Sequence, residues 1–379
     1  MSADMPAAPR SFAYSGEAGL RPPPQAPHGV RAFAQRHLFQ TPLGGIVTFV
    51  LGAVLAIVLW RVLQWGVVDA VWYAPGDGAA CRQALGACWA VIVEKHRVIL
   101  FGAYPYAEQW RGGIIVALWV VFGVISATRL LPVRVRLVGW AIVFTVSILL
   151  LRGGLFGLAE VGTDVWGGLP LTFIIFGGTI AGGLPLAVLL ALGRRSELPV
   201  VRFLCVATIE GVRGIPLLAL LFFAALILPL FLPPQLTVDK LIRAEIGMII
   251  FFAAYAAEVI RGGLQAIPEG QDEAAKALGL GYWLRMRKIV LPQAFAVVVP
   301  ALFNDIIRAF KNTTFFSILG LFDVLGATKA ALQDPNWVRY GTEGYLFVFV
   351  LYFIICSAMS AYGSSIERDN QRRARRAAR

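Results

Sequence analysis

From about residue 43 onward, long apolar runs alternate with short polar stretches, and most of the runs have membrane length. A helix needs about 20 consecutive apolar residues to cross the hydrocarbon core of a bilayer. Eight runs meet or approach that: Leu43–Leu63, Gly112–Leu131, Leu137–Leu151, Leu169–Leu192, Gly214–Leu232, Ile246–Ile267, Pro292–Phe310 and Tyr345–Tyr362. The third is short, and the apolar stretch Val200–Ile209 reads as continuous with the fifth. The pattern therefore predicts an all-α integral membrane protein with about eight transmembrane helices. Gly177-Gly178 and Gly182-Gly183 in the fourth run would let neighbouring helices approach closely.

The polar stretches divide the chain. Residues 1–42 hold seven of the 21 prolines and four arginines without an apolar run, which predicts a mobile tail with an interfacial stretch at Val30–Phe39. Residues 43–160 form an N-terminal extension of three spans. Its segment 64–111 carries Asp69, Asp77, Glu94, Lys95, His96, Arg97 and Glu108, too many charges for a span, and Ala87–Ile99 reads as an amphipathic helix lying on the membrane. Ser364–Arg379 reads as a charged tail, basic over residues 368–379.

The one long polar interruption of the C-terminal half is Ile267–Pro292. Pro268 fits a first helical turn, Glu269, Asp272 and Glu273 load that turn with negative charge, and Lys276 sits near the other end. Both ends suit the helix dipole, and Gly279 can take the positive φ that stops the helix. Ala274, Ala277 and Leu278 then share a shallow apolar face. After the turn, Tyr282, Met286, Ile289 and Val290 fall on one face with Arg285, Arg287 and Lys288 opposite, the pattern of a segment at a membrane surface.

Glu273-Ala274-Ala275, Gly279, Ile289, Leu291 and Pro292 resemble the EAA loop of ABC-importer permeases. Tyr255-Ala256-Ala257-Glu258-Val259-Ile260-Arg261-Gly262-Gly263, Arg213-Gly214-Ile215-Pro216-Leu217-Leu218 and Pro300-Ala301-Leu302-Phe303-Asn304-Asp305 resemble the polar amino-acid branch of that family. The resemblance covers about residues 165–367. It implies that the last five spans form an ABC type I importer permease core, and that the short helix is a cytoplasmic coupling helix docking on a separate ATPase. The contact residues it implies are Glu269, Asp272, Glu273, Ala274, Ala275 and Gly279, with Ile289, Leu291 and Pro292 completing the motif. The implied partners are two ATPase subunits, a second permease (a homologue in preference to a copy of this chain) and a periplasmic amino-acid-binding protein. The three extra spans resemble the layout of one subunit of a general L-amino-acid importer.

Composition agrees on class: 58% of residues are hydrophobic and 15% charged, with a mean hydropathy of +0.72. The first apolar run starts too far in, and is too long, for a signal peptide. With eight spans both termini share a side. Loops on that side hold 21 Lys and Arg against 10 on the other, which places both termini and Ile267–Pro292 in the cytoplasm. The resemblance implies that the membrane is a bacterial inner membrane. The net charge of +12 is spread over those loops without an aromatic platform, so anionic headgroups account for it better than nucleic acid.

Catalytic chemistry is absent from the pattern. No Gly-Lys pair occurs anywhere, so the chain has no phosphate-binding loop of the G-x-x-x-x-G-K-[ST] kind. It is expected to be no enzyme and to bind no cofactor, with ATP and Mg held by the partner ATPase. No Cys/His cluster suggests a metal. Cys81 and Cys88 lie seven apart in segment 64–111, which this topology assigns to the periplasm, an oxidising compartment. They can bridge if the segment between them turns, but on one straight helix they would lie too far apart. Cys205 and Cys356 read as packing residues.

Charge inside spans is costly and commonly faces a cavity or a partner. Asn304, Arg308 and Lys311 follow i, i+4, i+7 spacing, with Asp305 one turn from Arg308 and Thr313 and Thr314 beyond. Tyr255, Glu258 and Arg261 sit in the preceding span. A zwitterionic amino acid needs a cation for its carboxylate and an anion for its ammonium, and these residues offer both. The plainer alternative is that Asp305–Arg308 and Glu258–Arg261 are ion pairs that pin the bundle. In related permeases the helix matching the seventh span lines the transport cavity. Where that branch often has an acid after the lysine, this chain has Asn312, which suits neutral or acidic substrates or a broad range. A gradient-driven secondary transporter would leave the coupling helix without a role, and a membrane scaffold would leave the charged stripe unexplained.

Overall fold

Thr41 opens the first long helix of the computed structural model: its hydroxyl accepts the Gly44 amide at 3.0 Å, and Pro42 occupies the first turn, where an N–H is not needed. The structure describes residues 41–377 apart from 75, 77, 129 and 156, and before them residues 29, 34, 38 and 39. Nearly all of the expected tail 1–42, most of the stretch Val30–Phe39 and the last two residues of the basic tail lie outside the described residues. Helix α1 (Pro42–Leu63) runs into a π-helical turn over Gln64–Val68, and apolar residues cover all its faces, as in a helix surrounded by hydrocarbon. The chain to Val68 is one unit, and Asp69–Arg379 is a second.

The second unit begins with a small cap. The Val71 amide donates to the Ala87 carbonyl at 2.8 Å, and Cys81 and Cys88 form a disulfide with Cα atoms 5.6 Å apart. Helix α2 (Ala79–Gln83) is short, and the backbone becomes extended at Ala84, which turns the two thiols toward each other. The expectation of a membrane-surface helix over Ala87–Ile99 is corrected. Helix α3 (Ala90–Phe101) buries Ala90, Val91 and Ile99, the first two in a cluster with Leu332 and Trp337. Trp337 needs apolar cover, and the cap supplies it. Lys95 pairs with Asp334 at 2.7 Å, and the buried Glu343 carboxylate accepts the Cys88 amide at 2.9 Å.

Helices α4 (Gln109–Thr128) and α5 (Val133–Arg152) pack on α6 (Gly168–Arg194) through aromatic rings. Trp119 stacks on Phe173 with centroids 5.1 Å apart and donates to the Ser147 hydroxyl at 3.0 Å. The glycines of α6 do what their spacing predicts. A methyl group at Gly177 would lie 2.7 Å from Trp119 and Phe144, and one at Gly183 2.5 Å from Phe252 of α9 (Lys240–Gln265). Only glycine admits both neighbours.

The expected continuous helix from Val200 to Leu232 is broken instead. Helix α7 (Pro199–Arg213) and the helical path Leu217–Phe231, which opens with α8 (Leu217–Phe222), are bent by 109°. Pro216 offers no N–H and drives Ile215 out of the α region, so the helix ends after Arg213. The seventh span also differs. It starts ahead of Pro292, as α11 (Tyr282–Arg285), a π-helical turn over Met286–Val290 and α12 (Leu291–Asn312) follow one another without a break. A proline ring crowds the carbonyl four residues back, and the wider π turn relieves that.

After the short helix α13 (Val324–Ala331), α14 (Gly341–Ala377) is 37 residues long. The stretch expected as a tail from Ser364 is thus helical, and Asn370 donates to the Ala296 carbonyl of α12 at 3.1 Å. Among the described residues, seven helices are long and apolar enough to cross a membrane, and the bent pair would make an eighth.

Candidate functional site

Helix α10 (Glu269–Ala277) forms where the charge pattern places it, with Glu269 and Asp272 in its first turn and Lys276 in its last. Its end is a Schellman motif. Gly279 has φ +72°, its amide donates to the Lys276 carbonyl at 2.9 Å, and the Leu280 amide donates to the Ala275 carbonyl at 3.2 Å. Glu273, Ala274 and Ala277 are exposed and Leu278 is 78% exposed, so the shallow apolar face is open. Ala275 is buried, Ile289 and Leu291 are half-buried and Pro292 is exposed. Of the residues expected to meet an ATPase, those three covered ones hold the loop together.

Arg285, expected on a polar outer face, turns inward instead. Its guanidinium pairs with Asp272 and lies over the Tyr282 ring, 5.7 Å from the centroid. Asp272 also receives Lys276 at 2.9 Å. The Lys276 hydrogen bond and then the Arg285 charge hold the Asp272 carboxyl below its ordinary range. Gln293 donates to the Gln271 side chain at 3.5 Å and to the Ile289 carbonyl at 3.0 Å. The short helix is thereby tied to the foot of α12.

Higher on α12, a cleft between α9 and α12 is lined by Tyr255, Asp305, Arg308 and Asn312, with Met248, Phe251, Phe252 and Ala309. Arg308 pairs with Asp305, and its guanidinium stacks on the Tyr255 ring at 4.8 Å. The two charges differ in access: the Arg308 side chain is 46% exposed, that of Asp305 only 11%. The cleft therefore presents a cation on an aromatic face above a recessed carboxylate, a geometry that can receive a carboxylate ligand.

The other expected cavity residues do not join them. Asn304 lines a separate groove against α14, with Phe303, Ser360 and Gly363. Thr313 is buried and bonded to the Phe310 carbonyl at 2.9 Å and the Tyr352 hydroxyl at 3.1 Å. Thr314 donates to the Lys311 carbonyl at 2.8 Å, and the exposed Lys311 makes no ion pair among the described residues. The stripe is regular along the helix, but α9 and α14 pack on either side of it and divide it.

Glu258 is also outside the cleft. It accepts Arg194 of α6 at 2.9 Å and Arg261 at 2.9 Å, with Arg213 of α7 at 3.6 Å. Glu210 of α7 accepts Arg194 as well, at 2.7 Å. This lattice joins three helices, and sequence reasoning found only its Glu258–Arg261 edge. The signal for Arg213 was present: a charge inside an apolar run, one residue before the break at Gly214-Ile215-Pro216.

Residues 183–368 match the family model described as binding-protein-dependent transport system inner membrane component. The chain is 41% identical over 360 residues to the inner membrane amino-acid ABC transporter permease protein YhdY of Escherichia coli (strain K12), covering 92% of this chain and 95% of that one. It is 35% identical over 429 residues to the glutamate/glutamine/aspartate/asparagine transport system permease protein BztC of Rhodobacter capsulatus, covering 96% and 98%. The glutamate/aspartate import permease protein GltK of Escherichia coli O6:H1 is 35% identical over 206 residues, 53% of this chain and 91% of its own. The N-terminal extension is thus shared with two relatives of similar length.

Proposed function

The chain belongs to the inner-membrane permeases of amino-acid ABC importers, and from that premise we propose that it carries polar L-amino acids delivered by a periplasmic binding protein, driven by a separate ATPase seated on α10. The gradient-driven alternative is set aside, because the relatives are ABC transporter permeases. The observation that carries the proposal is the link between the two parts of the site. The exposed face of Ala274, Ala277 and Leu278 is held by Asp272–Arg285 and Gln271–Gln293 to the same helical path that carries Asp305 and Arg308.

In this reading both termini and α10 face the cytoplasm of a bacterial inner membrane, and the Cys81–Cys88 cap faces the periplasm. Two ATPase subunits hold the ATP and Mg. A homologous second permease, in preference to a second copy, completes the pathway. Arg308 receives the substrate carboxylate, and the neutral Asn312 beside it suits neutral and acidic amino acids, in keeping with the substrates named for the Rhodobacter relative. A cysteine at position 278 in the assembled transporter should crosslink to the ATPase. A complex that transports normally while position 278 stays remote from the ATPase would contradict the docking assignment.

A further inference from the structure

The lattice around Glu258 is unevenly shared. Two carboxylates, Glu210 and Glu258, face three guanidiniums, those of Arg194, Arg213 and Arg261. Arg194 and Arg261 take the hydrogen bonds, at 2.7 to 3.2 Å, and Arg261 engages both Glu258 oxygens. Arg213 stands 3.6 Å from Glu258 and 3.9 Å from Glu210, outside hydrogen-bond range. Among the described residues its guanidinium donates no hydrogen bond, although it has five N–H groups and is only 35% exposed. A cation left so at a helix break in a membrane protein has donors to spare for a ligand.

Its position says which ligand. The Arg213 guanidinium lies 5.7 Å from the centroid of Tyr255, the same ring on which Arg308 stacks at 4.8 Å. Tyr255 lines the cleft, so both guanidiniums sit against one of its wall residues, Arg308 as a lining residue and Arg213 next to the ring but outside the lining. Among the described residues the only carboxylate lining the cleft, Asp305, is recessed and already paired, which leaves the accessible charge of the lining positive. We propose that Arg213 is the specificity determinant that admits amino acids with a second carboxylate: Arg308 holds the α-carboxylate and Arg213 the side-chain carboxylate. This rests on the reading of the cleft as the substrate pathway.

Glutamate and glutamine test it, since they differ in that one group. Their transport rates are compared in the complete reconstituted transporter with saturating loaded binding protein. In Arg213→Gln the glutamate rate should fall about tenfold relative to glutamine, the loss of one charge-assisted bond, while Arg213→Lys, a point charge without the planar fork, should fall between this variant and the wild type. Should Arg213→Gln fail to assemble, the ratio is read from Arg213→Lys. Rates that fall together, an unchanged ratio in both variants, or a wild-type complex that rejects glutamate would each overturn the proposal. Arg308→Gln separates it from its premise: if both substrates pass that variant undiminished, the cleft reading fails whatever Arg213 does.

Discussion

Asp272 and Arg285 form an ion pair across the sharp turn at Gly279, and this pair fastens the short exposed helix to the foot of the long one. Arg285 is 12% exposed, so its charge depends on that partner more than the surface Lys276 does. Asp272→Asn should lower uptake about fivefold at unchanged membrane abundance, the effect of about 1 kcal/mol at the strong end for such a pair. The carboxyl titrates below its ordinary range, so the pair is present at all higher pH and is lost only as pH falls through that lowered value. Coupling in the wild type should therefore be flat around neutrality. Normal uptake by Asp272→Asn would show that the pair does not transmit force.

Orientation is open to labelling. Cys81 and Cys88 are buried and bonded to each other, so they are poor targets, but Leu85 between them is 94% exposed. Leu85→Cys should react with a membrane-impermeant maleimide in intact cells, and Leu278→Cys should react only after the membrane is opened. Reversed accessibility would overturn the placement of α10 in the cytoplasm.

Asp305 and Arg308 offer a decision between binding and bracing. Arg308→Gln should cut transport about ten- to a hundredfold while the complex still assembles. If Arg308 only braces Asp305, changing both residues (Arg308→Gln with Asp305→Asn) removes the unpaired charge and should restore uptake. Continued loss in the assembled double variant is the outcome expected of a substrate ligand.

Asp323 should give the region around α13 a pH dependence. Its carboxylate caps α13 by accepting the Gly326 amide at 2.9 Å and the Leu325 amide at 3.2 Å, and burial pushes its pKa up to about 7. The folded protein thus keeps this proton to higher pH than the unfolded chain does. The contribution of Asp323 to stability should be fully present below the ordinary carboxylate range and decline as pH rises toward about 7, levelling off above. Asp323→Asn keeps a carbonyl acceptor for the cap and should flatten that slope in thermal unfolding of the purified complex. An identical slope in both proteins would assign it elsewhere.

Much of this was legible in the sequence, where one physical cause dominates. Runs of apolar residues give helices of membrane length, acidic first turns and Gly279 give α10, and paired glycines in α6 give its close neighbours. Features that depend on partners distant in the chain were not. Arg285 looks like a surface charge until the turn brings Asp272 beside it. Asn304 and Arg308 look like one stripe until α14 and α9 take one each. The break before Pro216 and the π turn before Pro292 did have local signals, because both prolines sit inside apolar runs that read as unbroken or as newly starting.

The central claim is that α10 couples an ATPase to the cleft on α12, and Gly279 tests it most directly. Its φ of +72° is forced by the Schellman turn, and a side chain there would meet nothing within 4 Å, so any penalty comes from the backbone alone. Gly279→Val, β-branched, resists that conformation by about 1–2 kcal/mol, whereas Gly279→Asn tolerates it. Uptake and ATPase copurification should both fall in Gly279→Val at unchanged membrane abundance and persist in Gly279→Asn. Wild-type uptake with a fully retained ATPase in Gly279→Val would contradict the account.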